Sequence, residues 1–315
     1  MRFHVSLSVI GAALVIGAPG VMAQERLNPL IELHEQDKPL FGLYAPANRG
    51  GRRGAPPSEA KTPQQLAQET LGFDGSDYMF SGSMEGGVAR GLPDWTAYVE
   101  ALLEAGATVR THPLIVKAPK ITEDPQIEAS ISMELNSGIS GLMFTHVETA
   151  EELRKGLAAM RPRSQGGTRS DDVGNAPAYW GVSEAEYRRK ADLWPINPEG
   201  ELINWTIVES HEGLANVREI AAVEGIGVLW PGAGTLRGLF STTDADGNRV
   251  PDEEAWEESI QTVLSACKEF EIPCGYPSNA SDIEMRMAQG FSVFVMGWGE
   301  GGFATIDVGR QNSGR

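Results

Sequence analysis

The amino-acid sequence predicts an α/β protein whose single domain is a (β/α)8 TIM barrel. Apolar runs of strand length alternate along the chain with segments of 3.6-residue period, the pattern of parallel α/β proteins. Eight such strands and seven intervening helices fit within one domain's length, as a barrel requires. We find no GxGxxG motif between a predicted strand and a predicted helix, and no P-loop, so the sequence favours a barrel over an open nucleotide-binding sheet.

The predicted elements follow one another in strict alternation. The apolar runs that predict strands lie at residues 40–45, 78–81, 113–116, 141–145, 202–208, 226–230, 271–274 and 291–296. The periodic segments that predict helices lie between them, at residues 63–70, 93–104, 125–135, 150–160, 213–222, 253–270 and 280–288. The Gly/Asn/Ser-rich residues 297–315 show no clear eighth helix. Because chemistry in a barrel takes place at the carboxyl ends of the strands, polar residues directly after each strand are the candidate site residues.

Residues 1–23 have the pattern of a cleavable signal peptide. A basic start at Arg2 precedes an apolar run over residues 5–16, and the small residues Val21 and Ala23 suit a signal-peptidase site. The apolar run is too short to span about 30 Å of hydrocarbon. We therefore predict an exported protein, periplasmic or secreted, whose mature domain is residues 24–315 and which has no membrane contact after cleavage.

Charge and cysteine content restrict the partners. The chain has 26 Lys and Arg against 43 Asp and Glu, a formal net charge of −17, which disfavours nucleic acid and anionic membranes. The two cysteines, Cys267 and Cys274, are compatible with one disulfide or with none. Metal binding by this pair is disfavoured because no further Cys and no His lies near them in the sequence.

The connection over residues 162–200 is longer than connections in compact domains usually are. It contains Tyr179, Trp180 and Trp194, which make it too apolar for a flexible linker. We expect this inserted loop to pack over the barrel mouth or onto a neighbouring subunit.

Several stretches of the sequence resemble the HpcH/HpaI aldolase family, which includes relatives of the citrate lyase β-subunit. The resemblance is carried by residues 28–29, 72–74, 141–154, 207–209, 213–217, 223–226, 232–236 and 290–295. It extends over nearly all of the predicted mature chain and implies a TIM barrel that forms homo-oligomers. Members of the family are usually lyases that make or break a carbon–carbon bond next to a 2-oxo acid. Mg²⁺ or Mn²⁺ serves them as the Lewis acid that stabilises the enolate.

The resemblance implies a metal site and a substrate site. Glu209 matches the family glutamate that binds the metal, and its carboxylate is the hard ligand such an ion prefers. Its alternative role is that of a helix-start residue stabilised by the helix dipole. The glycine-rich turn Gly232, Ala233, Gly234 and Thr235 is implied to bind substrate. Thr235 stands where the family has a second metal-binding aspartate, and a neutral hydroxyl is a poor substitute for a carboxylate.

Three further residues are candidate catalytic groups. The family has Asp-Gly-Glu-His after its second strand, and this chain keeps only the glutamate, as Glu85. Lys117 takes the place of an arginine that neutralises the substrate's enolate oxygen; the alternatives are a surface lysine and a Schiff-base lysine, which would require desolvation. His146 follows the fourth strand, where a replacement acid/base has to lie, although a lone histidine is more often structural.

The first functional hypothesis is an exported carbon–carbon lyase that uses Glu209 and a divalent metal on an oxo or hydroxy acid, with an atypical active site. The second is a barrel that has lost catalysis and acts as a periplasmic binding or assembly protein. The third is a metal-independent lyase or hydrolase that uses the same mouth, with His146 and Glu85 as its acid/base pair.

Overall fold

The structure, a computed structural model, describes residues 25–48 and 60–315. Its strands are β1 (Leu40–Tyr44), β2 (Met79–Ser81), β3 (Leu114–Lys117), β4 (Gly141–Phe144), β5 (Leu193–Trp194), β6 (Leu202–Val208), β7 (Val228–Pro231), β8 (Ser241–Thr243), β9 (Arg249–Pro251), β10 (Gly275–Pro277) and β11 (Val293–Met296). Its α-helices are α1 (Pro29–Glu35), α2 (Pro63–Leu71), α3 (Val88–Glu104), α4 (Ile127–Asn136), α5 (Ala150–Met160), α6 (Ala176–Trp180), α7 (Glu184–Lys190), α8 (His211–Ala215), α9 (Val217–Ala221), α10 (Ala233–Leu239), α11 (Glu253–Glu269), α12 (Ile283–Gln289) and α13 (Glu300–Ser313). The predicted signal peptide lies outside the described residues.

Nine strands form one curled, entirely parallel sheet. Their order is β10-β11-β1-β2-β3-β4-β6-β5, and β7 pairs with the second half of β6. A parallel bridge between Leu229 and Cys274 connects β7 to the start of β10, and the Leu229 N–H donates to the Pro273 carbonyl at 3.0 Å. The separate strands β8 and β9 form an antiparallel hairpin. The α/β fold and the parallel sheet that the sequence predicted are thus confirmed, and the carboxyl ends of the strands share one edge, here called the mouth.

Alternate residues of each strand fill the interior of the curled sheet, because successive side chains point to opposite faces. Trp205 lies in this interior, with its ring centroid 5.2 Å from that of Trp230 and 5.0 Å from that of Tyr78. Gly42 makes room for this packing, since a Cβ at that position would lie 2.2 Å from the Tyr78 ring. The opposite strand faces form a second core with the surrounding helices. The interior is therefore packed with side chains below the mouth.

The predicted strands agree with the observed ones to within two residues at each end, with one exception. The seventh was predicted at residues 271–274, but β10 begins at Gly275. Glu271 has φ +55°, a left-handed conformation that an extended strand does not accommodate. Residues 271–274 are therefore mainly the turn that leads into the strand.

The prediction that no helix follows the last strand is wrong, because α13 spans 14 residues. Its glycines give it poor intrinsic helix propensity, but Thr305, Ile306 and Gly309 are buried against the sheet. A Cβ at Gly309 would lie 2.4 Å from the Phe41 ring, so this glycine permits close packing on β1. Tertiary packing thus outweighs local propensity here.

This helix also changes the interpretation of the glycines that precede it. Gly297, Gly299 and Gly302 have GxGxxG spacing and lie between β11 and the first turn of α13, contrary to the sequence-based statement that no such motif joins a strand to a helix. A Cβ at Gly302 would lie 2.0 Å from the Gly297 carbonyl oxygen. Gly302 therefore serves helix packing. The strands neighbour one another in near-sequential order, unlike those of an open dinucleotide-binding sheet.

The inserted loop packs at the end of the sheet opposite the mouth. The Tyr179 hydroxyl donates to the His112 carbonyl at 2.8 Å, and the Trp180 indole donates to the Gly138 carbonyl at 3.1 Å. Both acceptors precede strands, and β5 pairs with the first two residues of β6. The expectation that this loop covers the mouth is wrong, because Tyr179 and Trp180 form their hydrogen bonds at the amino ends of β3 and β4. Packing onto a neighbouring subunit stays a prediction.

Cys267 and Cys274 form a disulfide that joins α11 to the residue before β10, which resolves the alternatives left open by the sequence. Both side chains are buried. Among the described helices, none is long and apolar enough to cross a membrane.

His34 makes the stability of this fold sensitive to pH. Its ring stacks on Trp194 with centroids 5.8 Å apart, its buried Nε2 atom has no hydrogen-bond partner among the described residues, and burial lowers its pKa to about 4. The unfolded chain therefore binds a proton below about pH 6.5 while the folded chain does not until about pH 4. Stability from neutral His34 is complete above that range and falls as the pH drops through it, by about 2–3 kcal/mol at pH 4.5.

We expect His34→Phe, which keeps the stacking and removes the titration, to flatten this part of the pH dependence. Urea unfolding of both proteins at pH 7 and pH 4.5 measures it, because contributions from buried carboxyl groups cancel in the comparison. Equal losses of stability in the two proteins would contradict the assignment to His34.

Candidate active site

The structure places every predicted site residue at the mouth. Glu85 lies four residues after β2, Lys117 is the last residue of β3, His146 lies two residues after β4 and Glu209 directly follows β6. Gly232 directly follows β7 and caps α10, and residues 233–235 form the first turn of that helix, so the segment is here called the turn over residues 232–235. These five strands are consecutive neighbours in the parallel sheet, so their carboxyl ends bring the residues together.

Two adjacent cavities open at the mouth and share Glu209. The mouth cavity, about 280 Å³, is lined by Lys117, Glu209 and the turn over residues 232–235. Its apolar floor consists of Tyr44, Phe80, Met143, Ile207, Trp230 and Val295. The outer cavity, about 700 Å³, is lined by Glu85, His146, Glu209 and the loop around Lys120. The mouth cavity is small and mainly apolar, whereas the outer cavity carries most of the charged groups.

Glu209 holds His146 in a defined orientation. The Glu209 carboxylate is 6% exposed, and its Oε1 accepts the backbone N–H of His146 at 3.1 Å and lies 3.5 Å from the His146 Nδ1. His146 has φ +56°, a left-handed conformation that is uncommon outside glycine and is often found at functional sites. The imidazole side chain is 35% exposed and lines the outer cavity. A carboxylate that orients an imidazole is a recurrent acid/base arrangement.

Gly232 provides the space that Glu209 occupies. A Cβ at position 232 would lie 2.4 Å from the Glu209 Cβ and 2.5 Å from its Oε2. A Cβ at Gly234, in the same turn, would meet nothing within 4 Å. The first glycine of the turn is therefore required by the site residue beside it, and the second is not.

Lys117 and Glu85 form a second pair. The Lys117 Nζ lies 3.3 Å from Oε2 and 3.4 Å from Oε1 of Glu85. The lysine side chain is 18% exposed and lines the mouth cavity, whereas the Glu85 side chain is 43% exposed and faces the outer cavity. Lys117 thus has a mostly buried side chain at the rim of an apolar cavity, with one carboxylate beside its amine.

Sequence reasoning missed two charged residues near the site. Lys120 lines the outer cavity and its Nζ lies 3.1 Å from Glu148. Burial raises the pKa of Glu148, but hydrogen bonds from Ser210 and Lys120 outweigh it, so the net pKa is lowered. Lys120 lies three residues after Lys117 on the loop that leaves β3, and that proximity was the available signal.

The donor atoms at the mouth fit a tightly held divalent cation poorly. Within residues 25–48 and 60–315, no three His, Cys, Asp or Glu side chains come together as a metal cluster. Glu209 offers one carboxylate, and its Oε1 already accepts a backbone N–H. Thr235 contributes a neutral hydroxyl where the family resemblance places an aspartate. The metal predicted at Glu209 therefore keeps one of the two carboxylate ligands that the family resemblance implies, so it would be held less tightly than in that pattern.

Comparisons with known proteins agree with the fold. A family model described as HpcH/HpaI aldolase/citrate lyase matches residues 97–295. A hydroxypyruvate/pyruvate aldolase from Delftia acidovorans is 28% identical over 242 residues, which cover 76% of each chain. Among solved structures, an HpcH/HpaI aldolase/citrate lyase family protein from Burkholderia cenocepacia is similar with a TM-score of 0.65, at 19% identity, over 90% of this chain and 97% of that one. The protein CitE from Mycobacterium tuberculosis, solved with magnesium and pyruvate, has a TM-score of 0.52 at 15% identity, over 88% of this chain and 90% of that one.

Proposed function

Because this chain belongs to the HpcH/HpaI aldolase/citrate lyase family and is on that ground a carbon–carbon lyase, we propose that it acts on a 2-oxo or hydroxy acid bound at the mouth. The observation that carries this proposal is the mouth cavity itself. It joins a mostly buried lysine side chain, a buried carboxylate and an apolar floor within about 280 Å³. A small oxo acid has the matching anionic head and apolar carbon chain.

Lys117 holds the substrate's carbonyl and carboxylate oxygens by its positive charge. It is the one cationic side chain among the described residues that line the mouth cavity. The protein has a formal net charge of −17. The Lys117 ammonium therefore provides a local positive charge to which an anionic substrate can bind. The turn over residues 232–235 forms the wall that contacts the substrate, and its small residues leave room for it.

His146 transfers the proton, and Glu209 positions the His146 ring. In retro-aldol cleavage the hydroxyl of the hydroxy acid loses its proton as the carbon–carbon bond breaks. The bond's electron pair moves toward the substrate carbonyl, and a proton is later returned to the new carbanion carbon. His146 takes and returns these protons from the outer cavity, while Glu209 fixes the orientation of its ring.

The active site is atypical in this proposal. Three differences from the family pattern support it: Lys117 in place of arginine, Thr235 in place of aspartate, and Glu85 without the neighbouring histidine. Since the donor set fits a resident divalent cation poorly, the steps proposed here use protein side chains alone.

A coupled assay tests the lyase. Purified mature protein is incubated with a panel of 4-hydroxy-2-oxo acids, and pyruvate release is followed with lactate dehydrogenase, with and without EDTA and with added Mn²⁺. We expect release from at least one substrate, and insensitivity to EDTA. Binding of these acids by calorimetry without release of pyruvate or another product would favour the binding-protein alternative. Pyruvate release that depends on added Mn²⁺ would show that the reaction uses a metal ion.

The curled sheet also supports a closed eight-stranded barrel, since the Leu229–Cys274 bridge joins the two strands at which the sheet would otherwise be open.

Export remains part of the proposal and is supported by the buried disulfide, because such bonds persist in oxidising compartments. Expression of the full chain in a Gram-negative host, followed by amino-terminal sequencing of the periplasmic fraction, tests it. A mature chain that begins at Gln24 is the expected result, and an uncleaved cytoplasmic chain would contradict it. Light scattering of that mature protein tests the proposed homo-oligomer.

A further inference from the structure

We propose that Lys117 forms a covalent iminium with the 2-oxo acid, so that this site works as a lysine-dependent aldolase. The inference rests on the proposed function and adds the group that receives the electron pair. Carbon–carbon cleavage next to a carbonyl requires an electron sink, which a metal or a protonated imine supplies. The mouth lacks the second metal-binding carboxylate of the family pattern, because Thr235 stands in its place, but it offers the Lys117 amine for the second route.

The position of Lys117 suits a nucleophilic amine. The residue ends β3, so its backbone is fixed by pairing with β4, where Lys117 aligns with Met143. The side chain is 18% exposed and lines the mouth cavity, whose floor includes Phe80 and Met143, each 1% exposed. In the proposed complex, the carbonyl carbon of a 2-oxo acid bound on this floor lies beside the Lys117 nitrogen.

Glu85 supplies the proton transfers that imine formation needs. Both of its oxygens lie within 3.4 Å of Nζ, and its carboxylate is open to the outer cavity. It accepts a proton from the Lys117 ammonium, and the free amine attacks the carbonyl carbon. The nitrogen's remaining excess proton moves to the alkoxide. Glu85 then protonates that hydroxyl, which leaves as water, and the nitrogen lone pair forms the protonated iminium.

Cleavage then runs through this iminium. The electron pair of the carbon–carbon bond moves into it and forms an enamine, while His146 takes the hydroxyl proton of the departing carbonyl product. The enamine carbon takes a proton back, and one water hydrolyses the iminium, which releases the oxo acid and restores the Lys117 ammonium. Water is the only co-reactant, and the site ends in its initial protonation state.

Reductive trapping tests the inference. The full mature protein is incubated with pyruvate and sodium borohydride in EDTA, digested and analysed by mass spectrometry. We expect the reduced pyruvate adduct on the peptide that contains Lys117. Lys117→Arg keeps a cation beside Glu85 and should abolish the adduct and lower kcat/KM at least about a thousandfold. The matched control is Lys120→Arg, because Lys120 is 21% exposed and also paired with a glutamate; it should still be labelled at Lys117.

The outcomes separate this inference from the proposed function. Lyase activity without an adduct on Lys117, or activity retained by Lys117→Arg, would overturn the iminium and leave the lyase intact. An adduct on Lys117 without turnover of any substrate would support the reactive amine and remove the lyase. Thermal melting of Lys117→Arg checks whether this variant is folded. Absence of both the adduct and the activity in the folded wild-type protein would overturn both the iminium and the lyase.

Discussion

Glu209→Gln is expected to lower kcat/KM by about 10²–10³-fold while leaving the melting temperature unchanged or higher. Glutamine keeps the shape of the side chain and an acceptor for the His146 N–H at 3.1 Å. It removes the negative charge that lies 3.5 Å from the imidazole Nδ1. Because this charge is 6% exposed and has few partners, neutralising it relieves a desolvation cost in the folded state. The measurements are steady-state kinetics on the best substrate and thermal unfolding.

A double-mutant cycle shows whether Glu209 acts through His146. If Glu209 is a positioning residue, Glu209→Gln should cost far less in a His146→Ala background than in the wild type, since the group that it orients is gone. Equal losses in both backgrounds would show that Glu209 acts on its own, and rescue of those losses by Mn²⁺ would identify it as a metal ligand.

The sequence places the site residues because each follows an apolar run. Glu209 comes directly after seven buried residues of β6, and the turn over residues 232–235 comes directly after β7. Parallel strands have their carboxyl ends at one edge, so the order of runs and polar residues was sufficient to bring Lys117, His146 and Glu209 to the mouth. The family resemblance then pointed to Glu209 as the central carboxylate.

The sequence does not predict which residues of the site pair with one another. Glu85 pairs with Lys117 only because of the path of the loop after β2, and His146 reaches Glu209 through a left-handed backbone turn. Neither feature has a periodic signal. The same dependence on contacts between distant residues explains why α13 was not predicted, since packing against Phe41 stabilises a helix in a glycine-rich segment. It also explains the inserted loop, where the Tyr179 hydroxyl donates to the carbonyl of His112, a residue distant in the sequence.

Gly232→Ala is expected to lower both activity and stability, because its Cβ would occupy the space of Glu209. The added atom would lie 2.4 Å from the Glu209 Cβ and 3.0 Å from the Ile207 Cγ2, so a flexible carboxylate tip alone cannot relieve the overlap. Either the backbone after β6 or the turn after β7 has to move. Overpacking of this kind costs about 1–3 kcal/mol, and the resulting displacement of Glu209 should reduce kcat/KM at least about tenfold.

Gly234→Ala is the matched control for stability, since it adds the same methyl group to the same turn. Its Cβ would meet nothing within 4 Å, and alanine is the better helix former within α10, so its melting temperature should equal or exceed that of the wild type. Thermal unfolding of both variants, with kinetics for Gly232→Ala, provides the comparison. Identical melting temperatures for the two variants, with wild-type kinetics for Gly232→Ala, would show that Glu209 does not pack against this turn. The buried carboxylate would then lack the wall that keeps it facing both cavities, and its role as the shared group of the site would have to be abandoned.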